Sequence, residues 1–199
     1  MTSKAERLRK KRIVQGRPRR QGVERHDNGK INYTALRPET EKEIKAVAIE
    51  ARKRVHGMDT EAAASPFAGY TLGRLFLDGR IYADQRKAGD EYAMAMARYY
   101  GLLGIHPSVR AQEIFRAGGL EGGVKYSPEV TDDYQRAMGR SANTMMYYEG
   151  LLLACQDGPQ VKQTVYNLCI MDYAAMRFMP DRQLRWLTRG LDKIVSTWT

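Results

Sequence analysis

The stretch SPEVTDDYQRAMGRSANTMMYYEGLLLACQDGP, residues 127–159, decides the fold class. Ser127 followed by Pro128 pairs an N-cap hydroxyl with a residue whose missing N–H costs nothing in a first helical turn. Val130, Tyr134, the pair Ala137 and Met138, Ser141, Met145, Tyr148, Leu152 and Cys155 then hold a helical stripe, which places them on one face of a helix. Asp157-Gly158-Pro159 supplies the stop, so the spacing predicts one helix of about 28 residues, the longest in the chain. Asp132 and Asp133 fall in its first turn, where acids suit the dipole and where neighbouring side chains diverge, a poor arrangement for a metal. The Met and Tyr residues at 145–148 read as packing between helices.

Similar patterns flank this segment. Pro38 and the capping box Thr40-x-x-Glu43 precede a stripe of Ile44, Val47, Ala48, Ala51 and Val55, closed by Gly57. Ser65-Pro66 opens a short helix through Leu72, Leu75 and Phe76 that stops at Asp78-Gly79. A second stripe, Ala88, Tyr92, Ala95, Met96, Tyr99, Leu102 and Leu103, runs to Gly104 and completes an αα-hairpin about Gly79. A short helix is expected between Pro107 and Gly118. Beyond residue 159, Val161, Val165, Leu168 and Ala175 form one pattern, and Leu184, Leu187, Leu191, Ile194 and Trp198 another after Pro180. No run alternates with period two for long enough to make a strand, so the expected class is all-α: a multi-helix body with a disordered basic N-terminal arm. The expected divisions are an arm at 1–37, a helical region at 38–117, a glycine-rich joint at 118–127 and a second helical region at 128–199. The glycines of 118–123 read as a joint, because no Lys-Ser or Lys-Thr pair and no apolar strand accompanies them to build a phosphate loop.

The chain's 199 residues carry a formal charge of +10, and residues 1–30 hold eleven cations against three acids, a net +8. The body is therefore nearly neutral. With Ile13, Val14 and Val23 as almost its only large apolar residues, the arm cannot bury enough surface to offset its ordering entropy. Lys10, Lys11, Arg12, Arg17, Arg19 and Arg20 suit a polyanion, since each phosphate contact releases counterions. Gln15-Gly16-Arg17-Pro18-Arg19-Arg20 is similar to the core of an AT-hook: Pro18 holds the backbone extended and leaves two guanidiniums to follow a narrow minor groove. A phosphate-binding arm without groove readout, and a solvated, RNA-binding or targeting arm, are the other readings of the same residues.

A second set of cations, Arg182, Arg185, Arg189 and Lys193, falls on the last helix opposite its leucines. A short connection about Met179-Pro180 would set that helix against its predecessor in helix-turn-helix fashion, with the ridge offered to a DNA major groove; an ordinary solvated face is the alternative. Trp186 lies on its polar side, for another chain, nucleic acid or the preceding helix. Arg74, Arg80, Arg86 and Lys87 around the Gly79 hairpin form a rival cluster, tempered by Asp78, Asp84 and Asp90.

Charged residues at 28%, and no run of about 18 apolar residues, argue against a membrane partner. The basic start has no apolar run behind it to make a secretory signal, so a cytoplasmic location is expected. Cys155 and Cys169 are too sparse for a disulfide framework. His26, His56 and His106 lack ligand spacing, and no nucleophile or nucleotide-loop motif is present; neither enzyme activity, cofactor nor metal is implied.

Gly16-Arg17-Pro18-Arg19, Glu24-Arg25 with Asn28-Gly29-Lys30-Ile31, Ala51-Arg52 to His56-Gly57, Leu72-Gly73-Arg74-Leu75 with Leu77, Gly79 and Ile81, and Ala88-Gly89 with Tyr92 cover roughly the first half of the chain. On these pieces it resembles a group of largely uncharacterised phage and prophage proteins of alphaproteobacterial type. The C-terminal half, ending Arg189-Gly190-Leu191-Asp192-Lys193, resembles a helical domain of alphaproteobacterial regulators that includes activators of gene transfer agents. The resemblance implies double-stranded DNA as partner, in transcription regulation or viral genome packaging, with the transcription machinery or a large terminase alongside. Two alternatives stand beside it: a small terminase subunit assembling as a homo-oligomeric ring, and a non-enzymatic structural or host-interaction protein.

Overall fold

The computed structural model describes residues 21–118 and 132–198, with residues 33–40 described in backbone alone. Among the described residues it holds eight α-helices, two 3-10 turns and no strand beyond one isolated bridge, so the all-α reading stands. The glycine-rich joint and the Ser127-Pro128 cap lie outside the described residues, as does the arm up to residue 20.

The chain divides into two compact units, residues 1–51 and 52–199. In the first, Arg25 and Ile31 form the isolated bridge around a tight turn. The Lys30 carbonyl accepts from the His26 N–H at 2.9 Å, and the Arg25 guanidinium donates to the Gly29 carbonyl. Helix α1 spans Tyr33–His56 and crosses into the second unit. It begins five residues before Pro38, so the expected boundary at 37/38 falls inside a helix. Proline lacks one N–H and crowds the preceding turn, a penalty that makes it a natural start signal but that a long helix can absorb. The α1 stripe also departs from expectation: Ile44, Val47 and Val55 are 63%, 70% and 66% exposed.

The second unit continues with α2, Thr60–Ala64, capped by the Asp59 carboxylate, and a 3-10 turn, Pro66–Gly69, capped by the Ser65 hydroxyl. The single helix expected after Ser65 is thus interrupted. Tyr70 is extended, and the Thr71 N–H that would continue the helix is taken by the Asp172 carboxylate at 2.7 Å. Helix α3, Thr71–Leu77, then ends at Gly79, whose φ of +68° closes the hairpin into α4, Ala83–Leu102. Helix α5, Val109–Ala117, is capped by the Ser108 hydroxyl.

Helix α6, Asp132–Leu153, buries Ser141 and Leu152 and lays Met145 and Tyr148 on the core, while Met146 and Tyr147 face outward. The stripe reading holds, but the helix stops at Leu153 and not at Asp157. Asp157 takes φ +60°, and the turn folds back so closely that a Cβ on Gly158 would sit 2.1 Å from the Leu153 carbonyl oxygen. Helix α7 covers Gly158–Cys169, a 3-10 turn Ala174–Phe178, and helix α8 Asp181–Val195. Residues 170–180, which include that 3-10 turn, join α7 to α8, a longer link than the short connection about Met179-Pro180 that the sequence suggested. The two helices nevertheless pack directly. A Cβ on Gly190 would lie 2.8 Å from both Val161 and Val165, so glycine sets how closely α8 approaches α7.

The core lies where α3, α4, α6, α7 and α8 converge, on Leu72, Tyr92, Met96, Leu152, Leu168, Leu187 and Leu191, all at 0% exposure. Arg177 ties the surrounding loops together. Its guanidinium donates to both Asp78 carboxylate oxygens and to the His56 carbonyl, each at 2.7 Å. Cys169 is buried, Cys155 partly so, and both thiols are free. Among the described residues no helix is long and apolar enough to cross a membrane.

Candidate nucleic-acid interface

The strong segregation of leucine from arginine on α8 follows from its sequence. Leu187, Leu191 and Ile194 are buried against α7 and α4, and the opposite positions are left to solvent. Arg182, Arg185 and Lys193 are exposed, and from Arg182 to Lys193 the ridge spans about 16 Å at 1.5 Å per residue. The Arg182 guanidinium lies over the Trp186 ring at 4.9 Å, and the Trp186 Nε1–H donates to the Asp157 carboxylate at 3.1 Å. Trp186 is thereby held against the α6–α7 turn and packs on the core.

Arg189 differs from its neighbours. It donates to the Gln156 carbonyl at 2.9 Å and pairs with Asp157 at 3.3 Å, so it holds the left-handed Asp157 turn in place. Three of the four expected ridge cations face solvent uncommitted to such a clamp, and Arg189 is a positioning group. The expected arm contacts Lys10, Lys11, Arg12, Arg17, Pro18, Arg19 and Arg20 lie outside the described residues.

Beside Arg182 runs a groove of about 420 Å³ between α7 and α8, lined by Gln160, Gln163, Asn167, Tyr173, Gln183 and Trp186 among others. Sequence reasoning missed this carboxamide row, although Gln160, Gln163 and Asn167 already stand at helical spacing in the sequence. The Gln163 amide donates to Asn167 at 2.7 Å. Asn and Gln carboxamides carry the donor and acceptor pair that can match an adenine edge, so this face could both attract phosphate and address bases.

The rival cluster at the Gly79 hairpin is occupied with structure. Arg74 is buried and donates to the Ala68 carbonyl and the Thr71 hydroxyl; Arg80 donates to the Arg177 and Met179 carbonyls. Arg86 pairs with Asp90 at 2.5 Å and stacks 4.2 Å over Phe67, and the Lys87 ammonium sits over Trp198. These contacts turn the cluster inward, as the acids interspersed in the sequence foreshadowed.

A larger cavity, about 950 Å³, opens near α4 and α5, where Arg110 lies 3.8 Å over the Tyr70 ring. Asp90 accepts there from Tyr70, Arg86 and Arg110, so its carboxylate is fully engaged. Burial raises the Tyr70 hydroxyl above its ordinary range, and it pushes the buried thiol of Cys169, whose carbonyl accepts from Arg110, up to about 12.

No family model matches the chain, and no curated protein or solved structure shows significant similarity to it.

Proposed function

We propose that this chain is a non-enzymatic, phage-type protein that binds double-stranded DNA, in transcription regulation or genome packaging. The observation that carries the reading is charge placement: a net +8 within residues 1–30 of a chain whose total is +10. Such a segment gains affinity for any duplex through counterion release, whatever the sequence. The Gly16-Arg17-Pro18 core adds a means of preferring A·T-rich minor grooves. Arg182, Arg185 and Lys193, beside the carboxamide groove of α7 and α8, supply a second, firmly held surface on which base edges could be read. The resemblance to phage proteins and to regulators of gene transfer agents supports the same assignment.

The test is a titration of labelled 30-base-pair duplexes, one A·T-rich and one G·C-rich, across a salt series. The expected result is affinity that falls linearly in log–log form with salt and favours the A·T-rich duplex. Absence of binding to either duplex at low salt would refute the proposal.

A further inference from the structure

Among the described residues the branched members of the α1 stripe are exposed and Ala48 and Ala51 are half-buried, and the order of the stripe has a symmetry that the DNA reading does not use. Ile44, Ala48, Ala51 and Val55 follow one another at spacings of four, three and four residues on a continuous helix, large, small, small, large, with Val47 on the same side. Reversing the helix about the point midway between Ala48 and Ala51 brings Ile44 onto the position of Val55 and Ala48 onto that of Ala51. The stripe is therefore complementary to an inverted copy of itself. Small residues at the centre allow two helices to approach closely while the branched residues fill the ends.

The charges agree with that orientation. Glu43 and Arg54 sit on the same flank of the stripe, eleven residues apart, so they come from opposite ends of it. Both are exposed, and neither makes an ion pair among the described residues. An antiparallel copy brings the same flank of both helices together and places Glu43 of one chain near Arg54 of the other, twice by symmetry; in a parallel copy that flank faces the opposite one, and the two residues do not meet. Arg52 stays out of this pairing, because its guanidinium donates to the Ala63 and Ser65 carbonyls. The exposure of Ile44, Val47 and Val55 along one helical face is the cost that such a partner would relieve.

We propose that the chain forms a two-fold homodimer in which α1 packs antiparallel on α1 of a second copy, Ile44 against Val55 and Ala48 against Ala51, flanked by reciprocal Glu43–Arg54 pairs. An interface of this kind is isologous and closes at two subunits. It does not propagate into a ring, and it gives a duplex two basic arms related by a dyad.

Sedimentation equilibrium of the full chain without DNA, from low to high micromolar concentration, tests this directly. Wild type should approach twice the chain mass. Glu43→Arg and Arg54→Glu should each weaken dimerisation about tenfold, because each converts two attractive pairs into two repulsive ones. The double variant Glu43→Arg with Arg54→Glu should restore wild-type association. Val47→Glu should leave a monomer, with helical content unchanged by circular dichroism to show that the chain is still folded. A wild-type monomer throughout, an assembly larger than a dimer, or a dimer indifferent to the single charge reversals would each overturn the proposal.

Discussion

Replacing Gly190 by alanine measures how tightly α8 is set into the body. A methyl group there would meet Val161 and Val165 at 2.8 Å and Leu152 at 3.1 Å. All three neighbours are completely buried. Overpacking of this kind costs about 1–3 kcal/mol, while alanine in place of glycine within a helix returns about 1 kcal/mol. The intrinsic gain can be measured separately at Gly139 in α6, an exposed helical position where an added Cβ has nothing within 4 Å. Gly139→Ala should stabilise by about 0.5–1 kcal/mol. The two substitutions share the propensity term, so their difference isolates the steric one, about 1–3 kcal/mol. For a chain of this length each kcal/mol moves the melting temperature by about 2–4 °C. Thermal melts followed by circular dichroism should therefore place Gly190→Ala clearly below Gly139→Ala. Equal gains at both positions would mean that α8 does not approach α7 as described.

Further outcomes follow from the same packing. Leu187→Ala, at a site with no exposure, should lower the urea midpoint by an amount equivalent to about 2–5 kcal/mol. Arg182→Ala with Arg185→Ala should weaken binding to duplex DNA in a titration while leaving the melting temperature unchanged. Arg189→Ala should instead reduce stability by up to about 1 kcal/mol, the scale of a half-exposed pair, by releasing Asp157. Alkaline pH should destabilise the fold. Burial raises Cys169 from its ordinary 9.0 to about 12 and Tyr100 from 10.0 to about 12. The unfolded chain thus gives up these protons first, and stability present below pH 9 is lost as pH rises towards 12. Melts at pH 8 and pH 10.5 check this, and equal melting temperatures would contradict it. Tyr92→Phe should be neutral or stabilising and should soften that decline, because it removes a buried hydroxyl that has no hydrogen-bond partner and that burial also keeps protonated.

Periodicity made the helices legible wherever a stripe was buried: Tyr92 with Met96, and Leu187 with Leu191 and Ile194, occupy the core positions their spacing predicted. The boundaries that departed from expectation were set by contacts distant in sequence. Asp172 takes the Thr71 N–H from 101 residues away, and the one expected helix is divided into a 3-10 turn and α3. The Asp157 turn, held by Arg189 and Trp186, ends α6 early. Local pattern cannot reveal such partners. The same limit governed the candidate site. Sequence placed Arg189 on the solvent ridge because its angular position is right, yet a single acid on a neighbouring turn diverts it. Conversely, the α1 stripe carried a core-like pattern although Ile44, Val47 and Val55 are exposed among the described residues, since periodicity reports which residues share a face and not what lies opposite.

If the charge of the N-terminal segment carries duplex binding as proposed, one salt titration shows it. Lys10, Lys11, Arg12, Arg17, Arg19 and Arg20 are all replaced by glutamine in the full chain, and duplex affinity is measured by fluorescence anisotropy as salt is raised, alongside wild type. If these six cations contact phosphates, the log–log salt slope should become shallower by up to about 5, at roughly 0.9 per phosphate contact. Affinity at low salt should fall at least a hundredfold in the same titration, roughly the loss of a few such contacts. An unchanged slope with unchanged affinity would contradict the assignment of DNA binding to this arm.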